Sequence, residues 1–321
     1  MNSSRVVGVT GSSGYIGSRL VRYLEDTMPN RIVAFDTIPP SIPTHNIVVN
    51  RLDVSLPIDN ALKHGSVNTL IHLAENTIIP TVINNSQTRS LSEKNQTTLE
   101  SVLDSCVKAS VDHIVYVSSH TVYGIGNDLS IPIMEESILT TATDFNYSYD
   151  KVLCENKLAQ FAIENPNITV TVLRSSPVLG PTAKRDLKNI FYCTHPIGIL
   201  GYNPPFQFLH EDDLVRIMGC VIENPVGGVF NVASDGVVFR REILDMVPFR
   251  ALVVPSLAVL PLVFLSAIGV RTGAATSKSA FSIMKYPIVM STGLLKQKLE
   301  YIPSYNSLEA LTAFVNSVLW K

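Results

Sequence analysis

Short, nearly all-apolar runs alternate with longer stretches of helical spacing through the first half of the chain. The runs "RVVGV" (5–9), "RIVAF" (31–35), "NIVV" (46–49), "NTLIHLA" (68–74), "DHIVYVSS" (112–119) and "ITVTVLR" (168–174) read as six strands. Between them the spacing predicts helices from about Gly14 to Asp26, Thr97 to Ala109 and Tyr147 to Asn165. Strands that are apolar on both faces, separated by helices, predict a parallel sheet covered on both sides. The fold class is therefore α/β, a doubly wound (Rossmann) sheet.

After Arg174 the texture changes. Pro177, Pro181, Pro196, Pro204 and Pro205 break the rhythm, and "GVFNVA" (228–233) reads as one more strand. The remainder reads as mostly helical and ends in "SLEALTAFVNSVL" (307–319). There Leu308, Leu311, Phe314, Val315 and Val318 make a one-sided apolar stripe. The expected organisation is a coenzyme domain over 1–175, to which a segment at about 206–235 returns. Residues 176–205 and 236–321 then form a smaller, mostly helical substrate lobe. One stretch, Ala251–Val270, has no charge and the length of a membrane span. Pro255 and Pro261 interrupt it, so it reads as a buried helix or a cavity wall, with membrane contact as the lesser expectation.

Composition narrows the partners. Of 321 residues 46% are apolar and only 16% charged, with a net charge of −2, so nothing attracts nucleic acid by bulk electrostatics. Cys106, Cys154, Cys193 and Cys220 lie far apart and form no zinc-spaced cluster, so no metal is expected. The start "MNSSRVVGVTG" has no long apolar stretch behind a basic one. Reduced thiols in a cytoplasmic protein are the expectation.

Three glycines, Gly11, Gly14 and Gly17, stand between the first strand and the first helix. Strand, glycines, helix is the context of a dinucleotide turn. Gly11 would make the tight turn, Gly14 would let the backbone approach a pyrophosphate, and Gly17 would let the helix pack closely on the sheet. The spacing here is G-x-x-G-x-x-G, and an ordinary glycine-bearing loop is the bland alternative. Asp36 ends the second strand about 20 residues further on, where a carboxylate can accept from an adenosine ribose. No Arg or Lys follows in "TIPP" to neutralise a 2′-phosphate, which favours NAD over NADP.

Tyr147 and Lys151 are one helical turn apart and share a face. An ammonium beside a phenol favours the phenolate, so the tyrosine can exchange a proton with a substrate oxygen while hydride moves. The pair follows the fifth strand, whose carboxyl end carries Ser118, Ser119 and Thr121, and open parallel sheets bind ligands at that edge. One of these hydroxyls is expected to hold the substrate oxygen. Taken singly, each is equally a strand-end cap.

Together these residues resemble the extended short-chain dehydrogenases/reductases, the NAD-dependent epimerase/dehydratase family, along nearly the whole chain. "TGSSGYIG" resembles its coenzyme turn, which assigns Gly11, Ser13, Gly14, Tyr15, Ile16 and Gly17 to the cofactor. "FD" resembles the ribose site, and "LDV" assigns Asp53 and Val54 to the adenine. "IHLAE" assigns Leu73, Ala74 and Glu75, and Asn95 matches the family's helix asparagine. "SSHTVYG" gives Ser119 the catalytic-serine place, with Ser118 toward the coenzyme and Thr121 toward the substrate; "YSYDK" is the Tyr-x-x-x-Lys. The resemblance implies bound NAD, a Ser119–Tyr147–Lys151 site in which Tyr147 and Lys151 also touch the coenzyme, and a homodimer built on two helices per subunit.

The departures bear on substrate. Sugar-nucleotide epimerases usually carry an asparagine where this chain has Pro177, and often an arginine near the place of Phe206. Lys184 and Arg185 offer a substitute phosphate grip, with a solvated loop as the plainer reading of the pair. "SSHTVYG" lacks the Asp-Glu pair of 4,6-dehydratases, so dehydration of that kind is not expected. The expected activity is hydride transfer at a secondary alcohol or ketone of a sugar-nucleotide-like substrate, with possible redox epimerisation as one outcome of the same machinery. A dehydrogenase or reductase of an apolar, steroid- or lipid-like alcohol is the alternative, and a non-catalytic NAD-binding sensor or assembly protein is the reading from another class.

Overall fold

Neighbouring residues of the apolar runs face opposite ways, and both ways are covered in every run but "NIVV", at the sheet edge, where Val48 and Val49 are exposed. In the computed structural model, which describes residues 5–27, 31–39, 47–76, 85–126, 129–140, 146–183, 197–246, 252–257, 282 and 285–319, the first run is strand β1 (Val6–Thr10), buried from Val7 to Thr10. It is followed by α1 (Tyr15–Thr27), β2 (Arg31–Asp36), β3 (Ile47–Arg51), α2 (Asp59–Gly65), β4 (Thr69–His72), α3 (Asn85–Ala109), β5 (His113–Ser119), α4 (Asn146–Glu164) and β6 (Thr169–Ser175). Short strands β7 (Val178–Leu179), β8 (Ile197–Ile199), β9 (Pro205–Phe206) and β10 (Leu209–His210) come next, then α5 (Glu211–Glu223) and β11 (Gly228–Val232). The chain continues through β12 (Val238–Phe239), α6 (Arg240–Asp245), β13 (Leu252–Val254), α7 (Gly293–Lys298) and α8 (Ser307–Leu319).

Seven strands form one all-parallel sheet in the order β11-β6-β5-β4-β1-β2-β3. The chain runs outward from β1 to β3, returns to the other side of β1 with β4, and continues outward to β11. The reversal lies between β1 and β4, which makes the crevice at their carboxyl ends the ligand-binding edge.

Alternation along each strand builds two apolar layers. Val7, Val9, Ile32, Ile71, Val115 and Leu173 face Leu20 and Leu24 of α1 and Leu214, Ile217, Met218 and Val221 of α5. Their strand neighbours Val33, Leu70, Ile114 and Val172 face Leu62 of α2, Leu99 and Val102 of α3, and Leu158 and Phe161 of α4. Each such side chain contributes about 1.5–3 kcal/mol by leaving water. A separate cluster of Leu179, Phe208, Val238, Ile243, Leu311 and Phe314 holds α8 and α6 to the short strands.

Three details differ from the sequence pattern. Helix α3 starts at Asn85, well before Thr97, because its first half is rich in Ser, Asn and Gln and carries no apolar stripe. The region after β6 is less helical than its spacing suggests: β7 pairs with β10, β9 with β12 and β8 with β13. These strands are two or three residues long, too short for a periodicity to register. The apolar stretch from Ala251 opens not as a helix but as strand β13, paired in parallel with β8. Residues 258–270 lie outside the described residues, as do Lys184, Arg185 and Cys193. Among the described residues no helix is long and apolar enough to cross a membrane.

Candidate active site

At the switch point the chain leaves β1 through Gly11, whose φ of +67° belongs to the left-handed region that glycine occupies without strain. A Cβ there would stand 2.8 Å from the backbone of Leu73 and Ala74, so the turn after β1 touches the loop after β4 directly. Thr10 fastens the same contact, its Oγ1 accepting from the N–H groups of Leu73 and Ala74 at 3.2 Å each. Gly14 N–H donates to Gly11 O at 3.0 Å and closes the turn onto α1. The first turn of α1, at Tyr15, Ile16 and Gly17, leaves N–H groups without intrahelical acceptors beside this bare backbone, a fit for a pyrophosphate.

Asp36 stands where the spacing puts it, at the end of β2 and against the turn. Its Oδ2 accepts from Ser13 N–H at 2.9 Å and its Oδ1 from Ile38 N–H at 3.1 Å, which leaves lone pairs for a ribose. Asp53 Oδ1 accepts from Ser55 N–H at 2.9 Å, and these bonds from Ser55 hold its carboxyl below the usual range. Val54 is buried against the α2 layer. Tyr15 is committed elsewhere: its hydroxyl donates to the buried Glu211 carboxylate at 2.5 Å, and burial first, then Glu211, raises its pKa.

The carboxyl end of β5 and the first turns of α4 bring the proposed catalytic group together. Ser119 shares a side-chain hydrogen bond with Tyr147 and accepts from Thr121 Oγ1 at 3.0 Å. Lys151 Nζ lies 5.8 Å from the centre of the Tyr147 ring and is itself buried. Its three N–H bonds go to Glu75 Oε2 at 2.7 Å, Val117 O at 3.0 Å and Tyr116 Oη at 3.1 Å. Burial disfavours its charge, but Glu75, then Tyr116 and Tyr147, outweigh that, and its pKa lies well above the ordinary lysine value. Tyr149, two residues from Tyr147, faces solvent.

The ammonium does not lower the Tyr147 phenol below its ordinary pKa, as the spacing alone suggests. Burial pushes the phenol up, Lys151 pulls it down, and Glu75, bonded to Lys151, offsets part of that pull, so the net direction is upward.

Other residues named from sequence have structural partners. Ser118 donates to Glu155 Oε1 at 2.5 Å, beneath the site. Asn95 accepts from Asn76 N–H at 2.8 Å and donates to Asp150 Oδ2 at 2.9 Å, while Ser92 donates to Asp150 Oδ1 at 2.8 Å. Asn95 of α3 thereby links Asn76, in the loop after β4, to Asp150, the residue beside Lys151. Pro177, between β6 and β7, accepts from Leu209 N–H at 3.0 Å through its carbonyl. Phe206 is half-buried and stacked on Phe208.

Sequence reasoning missed two features. Glu155 and Arg174 form a buried pair at 2.7 Å that also binds Tyr123 and, through it, Asn231 of β11. Glu211 binds Tyr15, Thr182 and Arg19, tying α1 to the segment after β7 and to α5. Both join residues far apart in the chain, so local spacing does not mark them.

A seven-stranded parallel sheet, a glycine turn at its switch point and a serine–tyrosine–lysine group across the crevice define the extended short-chain dehydrogenase/reductase class. The model for the NAD dependent epimerase/dehydratase family matches residues 7–233, and the chain belongs to that family. An uncharacterised protein of Mycobacterium tuberculosis is 26% identical over 315 residues, covering 95% of this chain and 82% of the relative. A UDP-glucose 4-epimerase of Azospirillum brasilense is 26% identical over 225 residues, 65% of this chain and 61% of the relative. Among solved structures, MoeE5 in complex with UDP-glucuronic acid and NAD aligns with a TM-score of 0.75 at 21% identity, over 97% of this chain and 98% of the other. The UDP-N-acetylglucosamine 4-epimerase of Methanobrevibacter ruminantium M1, in complex with UDP-N-acetylmuramic acid, aligns with a TM-score of 0.77 at 17% identity over 99% of both chains.

Proposed function

We propose that the protein uses NAD to transfer hydride at a secondary alcohol or ketone of a sugar-nucleotide-like substrate, with epimerisation or simple oxidoreduction as the outcome. The observation that carries this reading is the meeting of Ser119, Tyr147 and Lys151 at the carboxyl end of β5, across the crevice from the Gly11–Gly17 turn. Family membership and the sugar-nucleotide enzymes among its relatives support it.

When bound, NAD supplies the hydride acceptor and donor. Gly11, Ser13, Gly14, Tyr15, Ile16 and Gly17 hold the pyrophosphate through backbone, Asp36 the adenosine ribose, and Asp53 and Val54 the adenine edge. Leu73 and Ala74 line the crevice between the two halves. Tyr147 Oη, protonated at rest, gives its proton to the carbonyl oxygen in reduction, and in oxidation takes the proton from the substrate hydroxyl once it has become the phenolate. Ser119 holds that oxygen, and Lys151 stabilises the phenolate through its charge. Thr121, bonded to Ser119, orients the serine.

Phe206 on Phe208, with Pro177 in the asparagine's place, favours the second reading, an apolar alcohol. A homodimer built on two helices per subunit and a cytoplasmic setting complete the proposal. Sedimentation tests the dimer.

Mass spectrometry of ligand carried through purification, followed by turnover assays with NAD and UDP-hexoses or a steroid alcohol, decides the substrate. In either assay Tyr147→Phe is expected to cut turnover by about 10²–10⁴-fold and leave NAD affinity nearly intact. Turnover that survives the change removes Tyr147 from the mechanism.

A further inference from the structure

An ammonium has three N–H bonds, and those of Lys151 are all used inside the protein. Two partners, Tyr116 and Val117, belong to β5 and are held by the sheet. The third is different. Glu75 comes from the loop after β4, and its side chain is 25% exposed against 2% for Lys151. Its two predecessors, Leu73 and Ala74, are the residues that Gly11 touches. Glu75 therefore stands between the turn suited to a pyrophosphate and the phenol suited to the reacting ring. In a dinucleotide, the second ribose joins those two parts and must pass this point.

We infer that Glu75 is a positioning residue that holds Lys151 while the coenzyme is away and yields that N–H to the hydroxyls of the ribose next to the nicotinamide. This rests on the proposed NAD site, and it gives Glu75 a role opposed to direct coenzyme binding: the carboxylate competes with the coenzyme for Lys151. Neither Tyr116 nor Val117 can be the partner released, because each is fixed in β5 under the site. Glu75 can swing outward because its carboxylate is partly exposed, while the ribose hydroxyls take its place on the buried ammonium.

Three probes separate this competition from a general charge effect. NAD and ADP-ribose both carry the second ribose; ADP carries the same pyrophosphate and adenosine without it. Calorimetric titration of each into the wild-type protein, Glu75→Ala and Glu75→Gln reads the affinities without any substrate. The expected result is that Glu75→Ala binds NAD and ADP-ribose about 3- to 10-fold more tightly and ADP unchanged. Glu75→Gln keeps an acceptor without the charge, and the same order at smaller amplitude is expected of it. Equal tightening of all three ligands would make Glu75 a diffuse repulsive charge and overturn the inference. Weaker binding of NAD to Glu75→Ala would make Glu75 a direct ligand and overturn it as well, as would no change with any probe. A wild-type protein that binds none of the three overturns the coenzyme reading itself, and this inference with it.

Discussion

A Cβ on Gly17 would stand 2.0 Å from the carbonyl oxygen of Gly11. The obstruction is main chain, so no rotamer change relieves it, and α1 would have to lift from the turn it starts against. Gly17→Ala is therefore expected to cost about 1–3 kcal/mol of stability and to weaken NAD binding about tenfold or more. Urea unfolding and calorimetry read the two effects. A variant as stable and as tightly bound as the wild type would show that helix and turn do not pack this way.

Asp36 holds the Ser13 and Ile38 N–H groups, and the proposed coenzyme site adds a ribose to the same carboxylate. Removing it by Asp36→Ala is expected to weaken NAD about tenfold or more, through lost charge-assisted bonds, and to relax discrimination against NADP. Parallel titrations with both coenzymes measure this. An unchanged preference counts against the ribose role.

The pair of Arg174 and Glu155 is buried and bidentate. Arg174→Met leaves Glu155 charged and buried with only Ser118 beside it, at a cost of about 3–5 kcal/mol. Arg174→Met with Glu155→Met removes both charges and is expected to recover most of that loss. Denaturant titrations of the single and double variants test the coupling. A double variant that loses the sum of the losses of Arg174→Met and Glu155→Met would show that the two charges act independently.

His72 and His113 are both buried and neutral. Burial, with Lys151 nearby, brings His72 to about 3, and burial, with Arg5 nearby, brings His113 to about 4. Thr171 Oγ1 donates to Val226 O, so His113 donates to Thr171 from Nε2 and its Nδ1 is left with no partner among the described residues. Both folded values lie below that of an unfolded histidine, so the unfolded chain takes up protons first as pH falls. Their contribution is complete above about pH 6.5 and is lost on acidification toward pH 4, at about 1.4 kcal/mol per pH unit for each. Denaturation midpoints between pH 8 and pH 4.5 check this, and His113→Leu should flatten the slope. A stability flat across that range would mean that the two imidazoles are not neutral in the folded chain.

Much of the architecture was legible because it is written locally. Six apolar runs became the first six strands, and "GVFNVA" became β11 beside β6. Tyr147 and Lys151 share a face because helical spacing puts them there, and Gly11 and Gly17 frame the turn after β1 because a Cβ at either would meet main chain at 2.8 and 2.0 Å. What stayed illegible lacked either a period or a local partner. The first half of α3 is polar on every side, and the strands β7 to β10 are too short to alternate.

By itself the sequence determined the alternation of strand and helix, the turn after β1, the carboxylate after β2 and the phenol one helical turn from an ammonium. Each depends on residues a few positions apart, where backbone geometry sets what can meet. Only the tertiary structure decided that Lys151 is held by Glu75 across 76 residues, that Tyr15 is held by Glu211 across 196, and that Tyr147 is raised rather than lowered. Those outcomes follow from which distant charges the packed layers bring into a water-poor crevice, where a carboxylate a few ångströms away and the loss of solvent together outweigh a single cation.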